Sequence, residues 1–188
     1  GYKRATLIFS EAERLEELVE KTGPLQLVFA GKAHPRDHEG KRMIEEIHRT
    51  ARRLKGKIRF CYVPNYDMDF GRLVCAGVDV WLNNPIPPLE ASGTSGMKSA
   101  LNGVPSLSIL DGWWVEGWVE GVTGWSIESE DSARSLFEKL AYRILPLYHC
   151  ERGAFEAVMQ GAIALNASYF NTHRMVQEYT TLLYGSRR

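Results

Sequence analysis

Short β-rich runs alternate with helical patterns through the first part of this chain, and that alternation constrains its fold more than any other feature. LQLVFAG (25–31) is a short, continuous apolar run ending in glycine, as expected of a strand buried on both faces. KIRFCYV (57–63), VDVWL (78–82) and PSLSIL (105–110) supply three further strands. Between them lie helical patterns. Ser10 with Glu13 forms a possible capping box, opening a helix that ends near Gly23-Pro24. Met43, Ile44, Ile47 and Leu54 line one side of a helix over 39–54, and further helices are expected over 68–77 and 94–102. Strand–helix–strand repetition predicts an α/β fold, a Rossmann-like doubly wound parallel sheet. Beyond Asp131 the pattern predicts three helices, over 131–145, 151–165 and 172–183, hence a helical C-terminal region. At 188 residues the expectation is a single domain over 1–188.

In open sheets of this class ligands bind beyond the carboxyl ends of the strands. Three such ends carry chemistry: GKAHPRD (31–37), PNYD (64–67) and NNPIPPLEASGTSG (83–96). Lys and Arg together number 23 and Asp and Glu number 23, so there is no basic excess of the kind a nucleic-acid binder shows. A phosphate site must therefore be local. No apolar run is long enough to cross a bilayer, so no membrane association is expected. Cys61, Cys75 and Cys150 are odd in number and form no C-x-x-C pair, which suits a reducing cytosol. All three are expected to be packed as small apolar residues.

The strongest chemical signal is EASGTSGMK (90–98), which begins in a proline-rich loop and runs into a helix. Small residues let backbone amides approach an anion, hydroxyls add donors, and a helix N-terminus supplies unpaired N–H groups and a favourable dipole. Lys98 lies about one turn inside that helix, where its amine could turn back toward the loop. Glu90 could accept hydrogen bonds from sugar hydroxyls. The residues alone leave a plainer alternative, in which Ser92 or Thr94 caps a helix and Lys98 is solvated. A phosphate-binding Walker loop is excluded, because Met97 rather than glycine precedes the lysine.

Other signals are weaker. His34 and His38 are four apart, but Pro35 interrupts the spacing and no Cys or Glu pattern completes a metal site. Lys32 fits an anion contact or a structural salt bridge equally well. Trp113, Trp114, Trp118 and Trp125 could stack on sugar rings, and burial against the sheet is the favoured role.

PLEASGTSGMKSALNGVPSLSILDGWWVEG (88–117) resembles the cofactor-lysine region of the α-glucan phosphorylases, in the shorter bacterial and archaeal type. YKRATLIF (2–9), FAGKAHPRDHEGK (29–41), NYDMDFGRLVCAGVDVWLNNP (65–85) and FNTHRMVQEY (170–179) resemble other stretches of that family in the same order. The resemblance implies the second lobe of a GT-B type glycosyltransferase fold, without its N-terminal lobe. It also implies reversible phosphorolysis of α-1,4-glucan to glucose 1-phosphate with inorganic phosphate, using pyridoxal 5'-phosphate held by Lys98 as a Schiff base. By position, Thr94, Ser95 and Gly96 would hold the cofactor phosphate, and Tyr66 would lie near the cofactor. Lys3 would place positive charge beside two facing phosphates, which otherwise repel one another. Glu90, Ser92 and Gly93 would bind glucosyl hydroxyls, and Asp111 would brace the loop. A cytoplasmic enzyme is implied, with a homo-oligomer as one form that it could take. Ser95 and Gly96 stand where the family usually has glycine and asparagine, and Asp67 where it usually has a basic residue. A further basic pair of the family motif falls before residue 1, and because the N-terminal lobe supplies half of the cleft the isolated chain is expected to be inactive. The competing function is a nucleotide-sugar glycosyltransferase lobe, which needs no lysine at the Lys98 position.

Overall fold

A computed structural model describes residues 1–185. Strands β1 (Gln26–Ala30), β2 (Arg59–Val63), β3 (Trp81–Asn83), β4 (Ser106–Ile109) and β5 (Gly124–Ile127) are all parallel to their partners. They form two hydrogen-bonded sets, β1–β2 and β3–β4–β5. Helices α1 (Ala12–Thr22), α2 (His38–Arg53), α3 (Met68–Gly77) and α4 (Thr94–Leu101) alternate with the strands as the sequence predicts. A short α5 (Trp114–Gly117) precedes β5. Helices α6 (Ser132–Lys139), α7 (Leu145–Cys150), α8 (Arg152–Gly161) and α9 (Thr172–Tyr179) then form the helical C-terminal region, joined or extended by wider π-type turns.

Local chemistry explains several helix starts. Asp37 accepts from the Gly40 N–H at 2.8 Å to open α2, Asp67 from the Phe70 N–H at 2.8 Å to open α3, and Asn171 from the Arg174 N–H at 2.9 Å to open α9. The acidic residue at position 67 thus has a structural use. The capping box does not form. Ser10 Oγ instead donates to the Leu7 carbonyl at 2.8 Å, closing the tight turn Leu7–Phe9, and α1 begins two residues later without a side-chain cap.

One core joins both strand sets. Phe9 lies 5.5 Å from Phe29 and 5.8 Å from Phe60, and Val80, Leu82, Leu107, Trp125 and Ile127 belong to the same cluster with Leu15, Leu136 and Phe155. The expectation that β1 is buried on both faces fails. Gln26, Val28 and Ala30 are exposed while Leu27 and Phe29 turn inward. Cys61, on the same outer face, is exposed rather than packed, as is Cys150. Only Cys75 is buried. A run of apolar letters marks a strand, but the covering of its second face lies outside the run. Strand β5 and α5 were not expected, because Gly117, Gly121 and Gly124 break the segment into apparent loop. Glu120, just before β5, accepts from Trp118 Nε1 at 2.9 Å and the Ser126 N–H at 3.0 Å, and pairs with Lys139.

Burial works against the Glu120 charge, yet the donors from Lys139, Ser126 and Trp118 hold its carboxyl below the ordinary 4.5. A depressed folded value means stability that is present above the unfolded pKa and lost as pH falls through the folded one. Glu120→Gln is therefore expected to cost about 1 kcal/mol at pH 7, allowing for solvent screening, and much less in acid, once the pH has fallen through the folded value, in chemical denaturation. An equal cost at both pH values would show the charge to be irrelevant.

Candidate functional site

The loop after β3 carries most of the candidate residues, and three contacts from two distant segments, the start of the chain and the stretch after β4, shape it. The first comes from the start of the chain. The Ile86 N–H donates to the Tyr2 carbonyl at 3.0 Å. Arg4 donates through Nε to the Asn84 carbonyl at 3.0 Å and through Nη2 to the Pro85 carbonyl at 3.1 Å and to Ser132 Oγ at 3.2 Å. Arg4 holds a left-handed backbone (φ 41°), rare for a side chain of this size, and burial lowers its guanidinium pKa. Sequence patterns gave no sign of this strap. Only the adjacency of Arg4 to Lys3 pointed near it.

With residues 2–4 held there, Lys3 Nζ lies 3.3 Å from Glu90 Oε1 and 3.1 Å from Oε2. The Glu90 side chain is 5% exposed and that of Lys3 47%, so a buried carboxylate faces a half-exposed ammonium. Oε2 is ion-paired with Lys3 but accepts no hydrogen bond of good geometry among the described residues, which leaves acceptor capacity in a buried carboxylate. Lys3 and Glu90 were expected to serve different groups, and the fold brings them into direct contact.

The second contact is Asp111, after β4. Its Oδ2 accepts from the Glu90 N–H and its Oδ1 from the Gly112 N–H, both at 2.9 Å, so it braces the loop as expected. The third is Trp113, whose N–H donates to the Ser92 carbonyl at 2.8 Å. Its indole lies against α4, where a Cβ at Gly96 would fall 2.8 Å from Nε1. Trp113 packs with Trp114, Phe170, Ala100 and Ala162 in a second cluster that seats α4. Trp113, Trp114 and Trp125 are thus buried, while Trp118 is half-buried and bonds Glu120.

Gly93 (φ 86°) turns the chain into α4, and the Gly96 N–H donates back to its carbonyl at 3.1 Å. The N–H groups and hydroxyls of Thr94 and Ser95 have no acceptor among the described residues. A helix start with unpaired donors suits an anion. Gly96 contributes differently from Thr94 and Ser95, since its N–H is used and its missing side chain admits Trp113. Ser92 is exposed, and its hydroxyl is likewise unbonded among the described residues. Lys98 is exposed, and no described residue pairs with its ammonium.

Tyr66 stands over Gly71, edge-on to Phe70 at 6.3 Å. Burial pushes its hydroxyl pKa up, helped by Cys75 and Asp67. Cys75 Sγ lies 4.0 Å from the Ser95 carbonyl, so α3 links Tyr66 to the first turn of α4. His34 accepts from the Arg36 N–H through Nδ1, and no metal-holding cluster exists among the described residues. Lys32 makes no ion pair there either, and no described helix is long and apolar enough to cross a membrane. Hollows of about 370 and 340 Å³, beside Arg49 and beside Leu110, contain none of the candidate residues.

A family model described as carbohydrate phosphorylase matches residues 2–122. A maltodextrin phosphorylase of Thermococcus litoralis is 44% identical over 98% of this chain and 24% of its own length. A glycogen phosphorylase of Aquifex aeolicus is 42% identical over 98% of the chain and 29% of its own. One from Mycobacterium tuberculosis is 47% identical over 79% of the chain and 18% of its own. The chain therefore spans about a quarter of the length of such relatives. Among solved structures, Anabaena HepE in complex with UDP and glucose matches 98% of the chain with a TM-score of 0.73 at 16% identity. The likeness covers 45% of that protein and establishes a shared Rossmann-like lobe of the GT-B kind.

Proposed function

The chain belongs to the carbohydrate phosphorylase family, and from that premise we propose that it is the cofactor-bearing lobe of an α-glucan phosphorylase. The intact enzyme cleaves α-1,4-glucan with inorganic phosphate, reversibly, to glucose 1-phosphate, and it works in the cytoplasm together with an N-terminal lobe. The observation that carries this reading is the start of α4. Among the described residues, four donor groups of Thr94 and Ser95 and the ammonium of Lys98 are all without partners, one helical turn apart. That set fits a phosphorylated aldehyde, which needs an amine and an anion cradle.

Lys98 is the attachment point of pyridoxal 5'-phosphate, and Thr94 and Ser95 bind its phosphate through backbone and hydroxyl donors. Gly96 lets Trp113 brace that turn. When bound, the cofactor supplies a phosphate monoester with a second pKa of about 6, able to exchange a proton near neutrality. Glu90 accepts from glucosyl hydroxyls through the acceptor capacity that Lys3 leaves on Oε2, with the Ser92 hydroxyl and the Gly93 backbone beside it. Lys3 orients Glu90 and offsets the repulsion between two phosphates brought together. Tyr66 lines the cofactor side by way of α3.

Borohydride reduction of the intact enzyme followed by peptide mass spectrometry is expected to find a phosphopyridoxyl group on Lys98. Tight binding of UDP- or ADP-glucose by a protein free of pyridoxal would sink the reading in favour of a nucleotide-sugar transferase.

A further inference from the structure

Lys3 stands in residues 1–6, which belong to no helix or strand, and a charge on a flexible four-carbon stem is useful only where its backbone is fixed. Its two neighbours fix it. The Tyr2 carbonyl accepts from the Ile86 N–H, and Arg4 donates to the Asn84 and Pro85 carbonyls. The residues on both sides of Lys3 are therefore tied to the same stretch, 84–86. That stretch leads into Glu90, the partner of Lys3. Strap and loop are thus joined twice, once through backbone and guanidinium and once through the Lys3–Glu90 pair.

A guanidinium suits this place as an ammonium would not. Its donors lie in a fixed planar fork, and Nε and Nη2 address two consecutive carbonyls. Nη2 also reaches Ser132 Oγ, and the buried Ser132 hydroxyl passes the contact on to the Ser129 carbonyl at 3.1 Å. The clasp therefore joins the start of the chain, the loop after β3 and the turn that opens α6. Arg4 adopts its left-handed backbone to make it, and such a conformation persists only where surrounding contacts over-determine it. Nothing in the clasp needs the adjacent side chain to be charged, yet the one it delivers is an ammonium 3.1 Å from a buried carboxylate.

We propose that Arg4 is a positioning residue for phosphorolysis, acting through Lys3. The proposal rests on the phosphorolytic reading of the site, in which Lys3 offsets the repulsion between two phosphates. With the clasp in place, the Lys3 ammonium stays beside Glu90 and at a fixed distance from the turn that opens α4. Without it, residues 1–4 keep one backbone bond to the stretch 84–86 among the described residues. The ammonium then samples a wider volume, and the buried Glu90 carboxylate loses its counter-charge for part of the time. Arg4 makes no hydrogen bond to α4 among the described residues, so attachment of the cofactor at Lys98 is left intact.

Three measurements on the full-length enzyme test this. Arg4→Ala is expected to lower the kcat of phosphorolysis roughly 10- to 100-fold and to raise the KM for inorganic phosphate, with pyridoxal absorbance equal to that of the parent. A clasp serving stability alone would lower the active fraction and leave that KM where it was. In a Lys3→Ala background the same substitution is expected to cost less than about threefold, because the group it positions is gone. In cofactor-stripped protein, amide exchange at Ile86 is expected to speed up roughly tenfold or more, while that at Glu90, held by Asp111, stays as it was. Losses that multiply in the double variant, an unchanged KM for phosphate, or unchanged exchange at Ile86 would each overturn the proposal. Should Arg4→Ala fail to fold, Arg4→Lys carries the same three measurements, since one ammonium keeps the charge but cannot serve two carbonyls and a hydroxyl as the fork does. Absence of pyridoxal from the parent would instead end the phosphorolytic reading itself, and that is seen before any variant is made.

Discussion

Lys98→Ala in the full-length enzyme is expected to abolish pyridoxal absorbance near 330–420 nm and to lower phosphorolysis by at least about 10³-fold, while its melting temperature matches that of the parent stripped of cofactor, since a bound group stabilises the native state. The two halves of that result have separate causes. Lys98 is exposed and pairs with no described residue, so truncating it removes no packing and no ion pair. Surface changes of that kind shift stability by no more than about 0.5 kcal/mol. Activity falls steeply because a preorganised charged group at a reacting centre contributes on the order of 10²–10³ or more, and here the whole cofactor depends on one amine. If Lys98 were only a solvated helix residue, the variant would match the parent in both measurements. Retained absorbance at an unchanged wavelength would end the cofactor assignment.

Gly112→Ala is expected to give the largest loss of stability near the site, about 2–4 kcal/mol in chemical denaturation, together with a raised KM. Gly112 holds φ 56°, where any side chain is strained by roughly 1 kcal/mol or more. A Cβ there would lie 2.6 Å from the Ser92 carbonyl oxygen and 2.9 Å from that of Glu90. Both are backbone atoms of the loop that presents Glu90, and they cannot rotate away, so overpacking adds about 1–3 kcal/mol. Gly121→Ala supplies the control. Its φ of 69° is similar but its Cβ would meet open space, so it should cost only the strain. Equal losses for the two variants would mean that the close approach of Gly112 to the loop has no energetic weight.

How much of this was legible beforehand depends on how far apart the interacting residues stand in sequence. Helix α3 was expected over 68–77 and spans Met68–Gly77; α4 was expected to begin at Thr94 and does. Their signals lie inside windows of about ten residues: an aspartate before the first turn, apolar periodicity, a glycine at the end. The loop EASGTSGMK was visible for the same reason, since a glycine-rich turn entering a helix is a local arrangement.

Contacts between distant segments were not visible. Lys3 and Glu90 are separated by 87 positions, and nothing in either neighbourhood indicates that they touch. Arg4 was passed over because its three acceptors are two carbonyls and a hydroxyl that only the folded sheet assembles. Cys61 was expected inside because its neighbours are apolar, yet a strand side chain is buried only if something covers that face. By itself, then, the sequence determined the alternation of elements, the helix starts and the chemistry of the α4 turn, because short-range propensity and spacing decide those. Tertiary structure alone decided that Glu90 is buried against Lys3, that Gly96 makes room for Trp113, and that the five strands pair as two sets. Each of these depends on which strand edges and loop ends meet in space, and chain topology sets that.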